Sequence, residues 1–310
     1  MKKIPVWIDT DTGVDDTLAL LVAVRLDEIE VVGASAVCGN AYIEDTFRNC
    51  RNVLSLACRE DIKVYKGSDK PLVKELKTAP YVHGENGIGD ATLEESKAEI
   101  ETMDAYDALY EKAKELNGEL VVVAIGPLTN IALTIRRHPD FVKYVKELDI
   151  MGGAVVGGNV TANAEFNIYC DPHAAREVFA SGIFVRMFGI DVTYKAFLDD
   201  DDIDEIRSYN NKASKLFNDS TKLIYAFREK FYGTGLCQHD ACPIVYLAHP
   251  DWFEVHKAGV YVETDDEEIM GKTVSDHFLD EKFELRNCEI VMNLNRDKFV
   301  KLIKDIYKTY

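Results

Sequence analysis

With 310 residues, 47% of them hydrophobic and 29% charged, the chain is large enough to bury one big core or two smaller ones and is too apolar to be disordered. Its 36 basic and 54 acidic side chains leave a net charge of −18, which argues against nucleic acid as a partner and admits cations or neutral small molecules. The opening Met1-Lys2-Lys3-Ile4-Pro5 precedes too short an apolar stretch for a secretory leader, and no later run reaches membrane-spanning length, so a cytoplasmic protein is expected.

A strand is predicted at Ile4 to Ile8 and a helix at Thr17 to Leu26. Between them, Asp9-Thr10-Asp11-Thr12-Gly13-Val14-Asp15-Asp16 sets four carboxylates on one turn. Two carboxylates about 4 Å apart repel by about 4 kcal/mol at the effective dielectric of a partly exposed site, so such a cluster must take up protons or hold a cation. Helix capping accounts for Asp15 and Asp16. It leaves Asp9 and Asp11 unexplained, and a bound metal is the simpler answer. Further strands are predicted at Glu30 to Val37, Leu120 to Ile125, Leu148 to Met151 and Phe184 to Phe188, with helices at Asp45 to Ala57, Asp104 to Leu116, Leu128 to Ile135 and His173 to Ala180. Their alternation is the pattern of βαβ units: an α/β fold with an open, mostly parallel, Rossmann-like central sheet flanked by helices. No linker or repeat interrupts it, and one domain spanning 1–310 fits best.

The acidic run Asp199 to Asp202 reads as a solvated helix start. Residues 203 to 232 read as two helices ending in the aromatics Tyr225, Phe227, Phe231 and Tyr232, either core or a lid over a flat ligand. Glycine loops follow three predicted strands: Cys38-Gly39-Asn40, Gly126-Pro127-Leu128-Thr129-Asn130, and Gly152-Gly153-Ala154 leading to Gly157-Gly158-Asn159. All would share the rim that carries the aspartates, where open α/β sheets bind ligands. Seven scattered cysteines without CxxC pairs read as reduced core residues.

Three polar stretches lack an obvious structural purpose. Asn159 to Asn167 supplies amides and the Glu165 carboxylate, a set suited to sugar hydroxyls or to a hydrogen-bonded surface turn. Gln238-His239-Asp240 places a titratable imidazole beside a possible oxygen ligand for a metal. Tyr81 to Gly89 sets His83 among glycines on an expected mobile loop.

Taken in order, Asp-x-Asp-x-Gly-x-Asp-Asp, Cys-Gly-Asn, His-Gly-x-x-Gly-x-Gly, Gly-Pro-Leu-Thr-Asn, Met-Gly-Gly-Ala, Glu-Phe-Asn followed by Asp171-Pro172, and the late His-Asp resemble the inosine-uridine-preferring ribonucleoside hydrolases. The resemblance runs from residue 4 to about residue 250. It implies Ca²⁺-dependent cleavage of the N-glycosidic bond of free ribonucleosides, purine or pyrimidine, to base and ribose. By position, Asp11, Asp16, Asp240 and the Ile125 carbonyl would hold the ion, and Asp11 would activate a water on it. Asp15 and Asn167, with Asp240, would meet the ribose 2′- and 3′-hydroxyls. Asn159, Glu165, Phe166 and Met151 would line the 5′ end, and Asn40 would sit by the ribose. His239 would protonate the departing base, His83 would contact it, and Tyr225 or Tyr232 would stack on it. A homodimer or homotetramer is the analogous assembly. Thr12 stands where the family pattern has proline, and the scarcity of tryptophan, Trp7 and Trp252 alone, points away from a base stacked on indoles. Two rivals remain: a phosphatase of the haloacid-dehalogenase type, which shares Asp9-x-Asp11-x-Gly13 but needs a later acid pair that Gly189-Ile190-Asp191 does not supply, and a non-catalytic nucleoside- or calcium-binding protein.

Overall fold

The computed structural model describes residues 2–231 and 233–310. Along the first two thirds of the chain come β1 (Ile4–Thr10), α1 (Val14–Ala23), β2 (Ile29–Ala36), α2 (Ile43–Leu56), β3 (Val64–Lys66), α3 (Pro80–His83), α4 (Ala105–Leu116), β4 (Leu120–Ala124), α5 (Thr129–Arg137), β5 (Val145–Met151), α6 (Phe166–Cys170), α7 (Pro172–Ala180) and β6 (Val185–Phe188). After them come α8 (Ile190–Thr193), β7 (Phe197–Leu198), α9 (Asp200–Ser208), α10 (Lys212–Phe231), β8 (Leu236–Cys237), α11 (Ala241–Ala248), β9 (Phe253–Ala258), β10 (Val260–Val262), β11 (Thr273–Ser275), β12 (Cys288–Leu294) and α12 (Arg296–Tyr307).

Eight strands form one sheet in the order β3-β2-β1-β4-β5-β6-β12-β9, parallel throughout except for the antiparallel edge pair β12–β9. The expected α/β architecture is therefore observed. Alternation along the strands sorts side chains to the two faces. Val6, Ile8, Val121 and Val123 pack with α1, α2, α11 and α12, whereas Trp7, Leu120, Val122 and Ala124 pack with α4, α5 and α7. Strand order reverses at β1, which lies between β2 and β4. The loops leaving β1 and β4 diverge at that switch point, opening a crevice at the carboxyl end of the sheet.

Each predicted strand overlaps an observed one, with differences at the ends. Helix α1 begins at Val14 instead of Thr17, because Gly13 acts as N-cap and donates its N–H to the Asp16 carboxylate at 2.8 Å. The run at 199–202 does start a helix, with Asp199 capping α9, but Asp202 is buried and paired with Arg296 and Lys304, so only part of it is solvated. All seven cysteines are free, and six are buried.

Candidate active site

Asp11 lies at the bottom of the crevice. Its Oδ2 accepts the Asn40 backbone N–H at 2.8 Å, while its Oδ1 is buried without a partner among the described residues. The main chain closes round this carboxylate: a Cβ at Gly39 would fall 2.1 Å from Oδ2, and one at Gly126 would fall 2.9 Å from Oδ1. Those two glycines are required by close approach. Asp16, in the first turn of α1, accepts from Thr10 Oγ1 at 2.5 Å and from Asn40 Nδ2 at 3.2 Å. Asp240 arrives from the N-terminus of α11. Oxygens of Asp15, Asp16 and Asp240 lie within 4.8 Å of one another, an arrangement able to hold a metal ion.

Burial raises all four carboxyls above the ordinary range. Asp15 is pushed to about 7, first by desolvation and then by the Asp16 charge. Asp11 and Asp240 rise well above the usual value for the same two reasons, Asp240 also feeling Asp15, and Asp16 is raised chiefly by burial. Acids that resist ionisation when left alone are the ones a cation relieves.

Above the acids opens a cavity of about 720 Å³, large enough for a nucleoside-sized ligand. Asp15, Asn40, Ile125, Met151, Asn159, Glu165, Phe166, Asn167 and Asp240 line it. Glu165 caps α6, taking N–H donors from Asn167, Gly153 and Ile168, yet burial still moves it to about 7. Asn167 Nδ2 bridges the carbonyls of Ile125 and Met151 at 3.2 and 3.1 Å. Asn159 Oδ1 accepts the Phe166 N–H at 2.9 Å. Tyr81, Tyr194, Phe197, Phe227, His83, His239 and Arg228 line the cavity as well. His239 sits edge-on to Tyr194 with centroids 5.5 Å apart, and its Nδ1 lies 2.7 Å from Thr193 Oγ1. Burial, then the Arg228 charge, lowers its pKa to about 4.

Comparison with known proteins identifies the family. The profile of the family described as inosine-uridine preferring nucleoside hydrolase matches residues 6–301. The chain belongs to that family. It is 34% identical over 308 residues to a pyrimidine-specific ribonucleoside hydrolase of Shewanella woodyi, covering 99% of this chain and 98% of the relative. To uridine nucleosidase 1 of Arabidopsis thaliana it is 40% identical over 260 residues, with 83% and 77% covered. A solved purine-preferring ribonucleoside hydrolase of Gardnerella vaginalis superposes with a TM-score of 0.91 at 29% identity, over 99% of this chain and 100% of that one. This nucleoside hydrolase is thus an enzyme acting on ribonucleosides.

The fold brings Asp11, Asp15, Asp16, Asn40, His83, Ile125, Met151, Asn159, Glu165, Phe166, Asn167, His239 and Asp240 to one crevice. His83 is not on a free loop. It ends α3, is buried, and its Nδ1 accepts the Val14 N–H at 3.1 Å, which places it in the wall at rest. Tyr225 requires a correction. On α10, Ile224, Phe227 and Arg228 share the cavity face, whereas Tyr225 lies one residue round the helix and bonds Asp200 at 2.9 Å. Replacing Tyr225 by Phe is expected to leave KM for a nucleoside within about 2-fold in initial-rate assays, as for other changes outside the cavity. Tyr232 lies outside the described residues. Neither tryptophan lines the cavity, Trp7 being stacked in the core on Tyr65. The phosphatase alternative fails, since Asp191 is committed to the N–H groups of Val155 and Val156. Sequence reasoning missed Arg228, Tyr194 and Phe197. The spacing 224, 227, 228 on one helical face was the available signal for Arg228.

Proposed function

We propose that the chain releases ribose and free base from ribonucleosides, uridine among them, with Ca²⁺ held by Asp11, Asp16, Asp240 and the Ile125 carbonyl. The observation that carries this reading is Asp11 Oδ1, a buried carboxylate oxygen with no partner, beside three more carboxyls at the switch point. Hard oxygens alone suit Ca²⁺, and among the described residues no cysteine or histidine cluster competes for a softer metal. The ion, when bound, supplies Lewis acidity that makes water at the site easier to deprotonate.

The chain's own groups do the rest. Asp15 and Asn167, with Asp240 alongside, bind the 2′- and 3′-hydroxyls, Asn40 braces Asp11 and Asp16 next to the ribose, and Asn159, Glu165, Phe166 and Met151 receive the 5′ end. Asp11 accepts the proton of the attacking water. Negative charge under the sugar favours the oxocarbenium character that develops as the glycosidic bond breaks. His239 faces the base. Because burial keeps its ring neutral at pH 7, the protonating role expected from sequence narrows to hydrogen-bond donation in the resting enzyme. Thr193 Oγ1 donates to Nδ1 in this reading, which leaves the proton on the other ring nitrogen. Curated relatives named for pyrimidine nucleosides and uridine support uridine as the first substrate to test.

The deciding experiment measures ribose release from uridine, cytidine and inosine, with and without a chelator. Phosphate release from a phosphomonoester in its place, or binding without ribose release, would overturn the reading. Substituting His239 with Ala should cost uridine about 10²-fold in kcat/KM and p-nitrophenyl riboside, whose leaving group needs no donor, far less. Equal losses would remove His239 from leaving-group assistance. The proposal extends to one catalytic domain over 1–310, a homodimer or homotetramer read by light scattering, and a cytoplasmic location. Among the described residues no helix is long and apolar enough to cross a membrane.

A further inference from the structure

The cavity lining carries both signs of charge. Asp15, Asp240 and Glu165 belong to it, and so does Arg228, together with Ile224, Phe227, Phe197 and Tyr194. Among the described residues Arg228 forms no ion pair. The guanidinium is held in place by its Nε, which donates to the Gly235 carbonyl at 3.0 Å, and by the Phe197 ring, whose centroid is 5.8 Å away. Its charge reaches His239. In the nucleosidase reading the ribose sits on the carboxylates, and the base then meets the aromatic part of the lining to which Arg228 belongs.

We propose that Arg228 binds the departing base as an anion and thereby selects oxo-bases over amino-bases, an inference that rests on the nucleosidase reading above. The C1′–N bond breaks with its electron pair passing to the base. Water oxygen bonds to C1′, its proton passes to Asp11, and one proton finally returns to the base nitrogen. In uracil or hypoxanthine the departing charge spreads onto carbonyl oxygens, which a guanidinium stabilises by charge-assisted hydrogen bonds. Cytosine and adenine spread less charge there and carry an exocyclic amine, itself a donor, so the same cation gives them less. The apolar neighbours Ile224, Phe227 and Phe197 beside Arg228 strengthen such a bond relative to open water.

The test compares kcat/KM for uridine and cytidine, and for inosine and adenosine, in the ion-loaded wild type and in Arg228→Gln and Arg228→Lys. The wild type should favour uridine over cytidine by more than about 10-fold, and Arg228→Gln should cost uridine about 30- to 100-fold while cytidine loses about 3-fold or less, as expected for one hydrogen bond to a developing charge. Arg228→Lys, which keeps the charge, should recover part of the uridine rate. Equal losses on both bases at an unchanged melting temperature would overturn the proposal, as would a wild type indifferent to the 4-substituent, a result that needs no variant to fold. A wild type that releases ribose from no nucleoside would instead bring down the nucleosidase reading and this inference with it. Ribose release without base discrimination brings down the inference alone.

Discussion

Changing Asp11 to Ala should reduce ribose release by about 10⁴-fold, because in the mechanism proposed above it deletes the base that accepts the water proton and one ligand of the ion together. Structural damage is not the expected cause. Among the described residues the side chain makes one hydrogen bond, to the Asn40 N–H, and its second oxygen makes none. Removing it also relieves repulsion on Asp16 and Asp240, so the ion-free variant should melt at or above the temperature of ion-free wild type. The measurements are ribose release under saturating substrate and a thermal melt of the same sample. A variant with near-normal turnover would take Asp11 out of the reaction, and one that melts far below wild type would make the loss a folding effect.

Stripping the divalent ion should stop turnover and destabilise the protein, with a cost that grows as pH rises. Asp15 has a folded pKa of about 7, above the roughly 3.9 of an unfolded aspartate. A group raised on folding contributes stability that is complete below its unfolded pKa and is lost as pH climbs through the folded one, so ion-free protein should weaken between about pH 4 and about pH 7. Asp11, Asp16 and Asp240 move in the same direction. With the ion in place these carboxylates are already ionised and neutralised, and that loss disappears. Melting temperatures in calcium and in chelator should therefore lie close together near pH 5 and diverge towards pH 8, as linkage requires. Parallel curves would show that the acidic cluster does not hold the ion.

Sequence pattern served best where one physical signal dominated. Continuous β-branched runs marked the buried parallel strands, and the acids beside Gly13 marked a cluster able to hold a metal, although Asp9 turns away from it to Ser35 and Asn130. Failures came where signals were short or shared. β3 is only Val64–Lys66, β9 alternates charged with apolar residues as an edge strand does, and β12 reads as an apolar run far from its partner β6. On α10 the aromatic content pointed to a ligand, but only the helical phase says which rings face it. Choosing Tyr225 by residue type missed the face that carries Phe227 and Arg228. The Glu165 stretch was both things at once: a turn that satisfies backbone donors and a wall of the cavity.

Asp11 and Asp16 leave the ribosome early, whereas Asp240 emerges only after α10 has been synthesised. A nascent chain that has completed β1 to β6 already owns most of its parallel core but lacks the last oxygen of the pocket. On the reading proposed above, until α11 docks such a chain should neither sequester calcium nor consume nucleosides, and biosynthesis itself would keep half-made copies chemically silent.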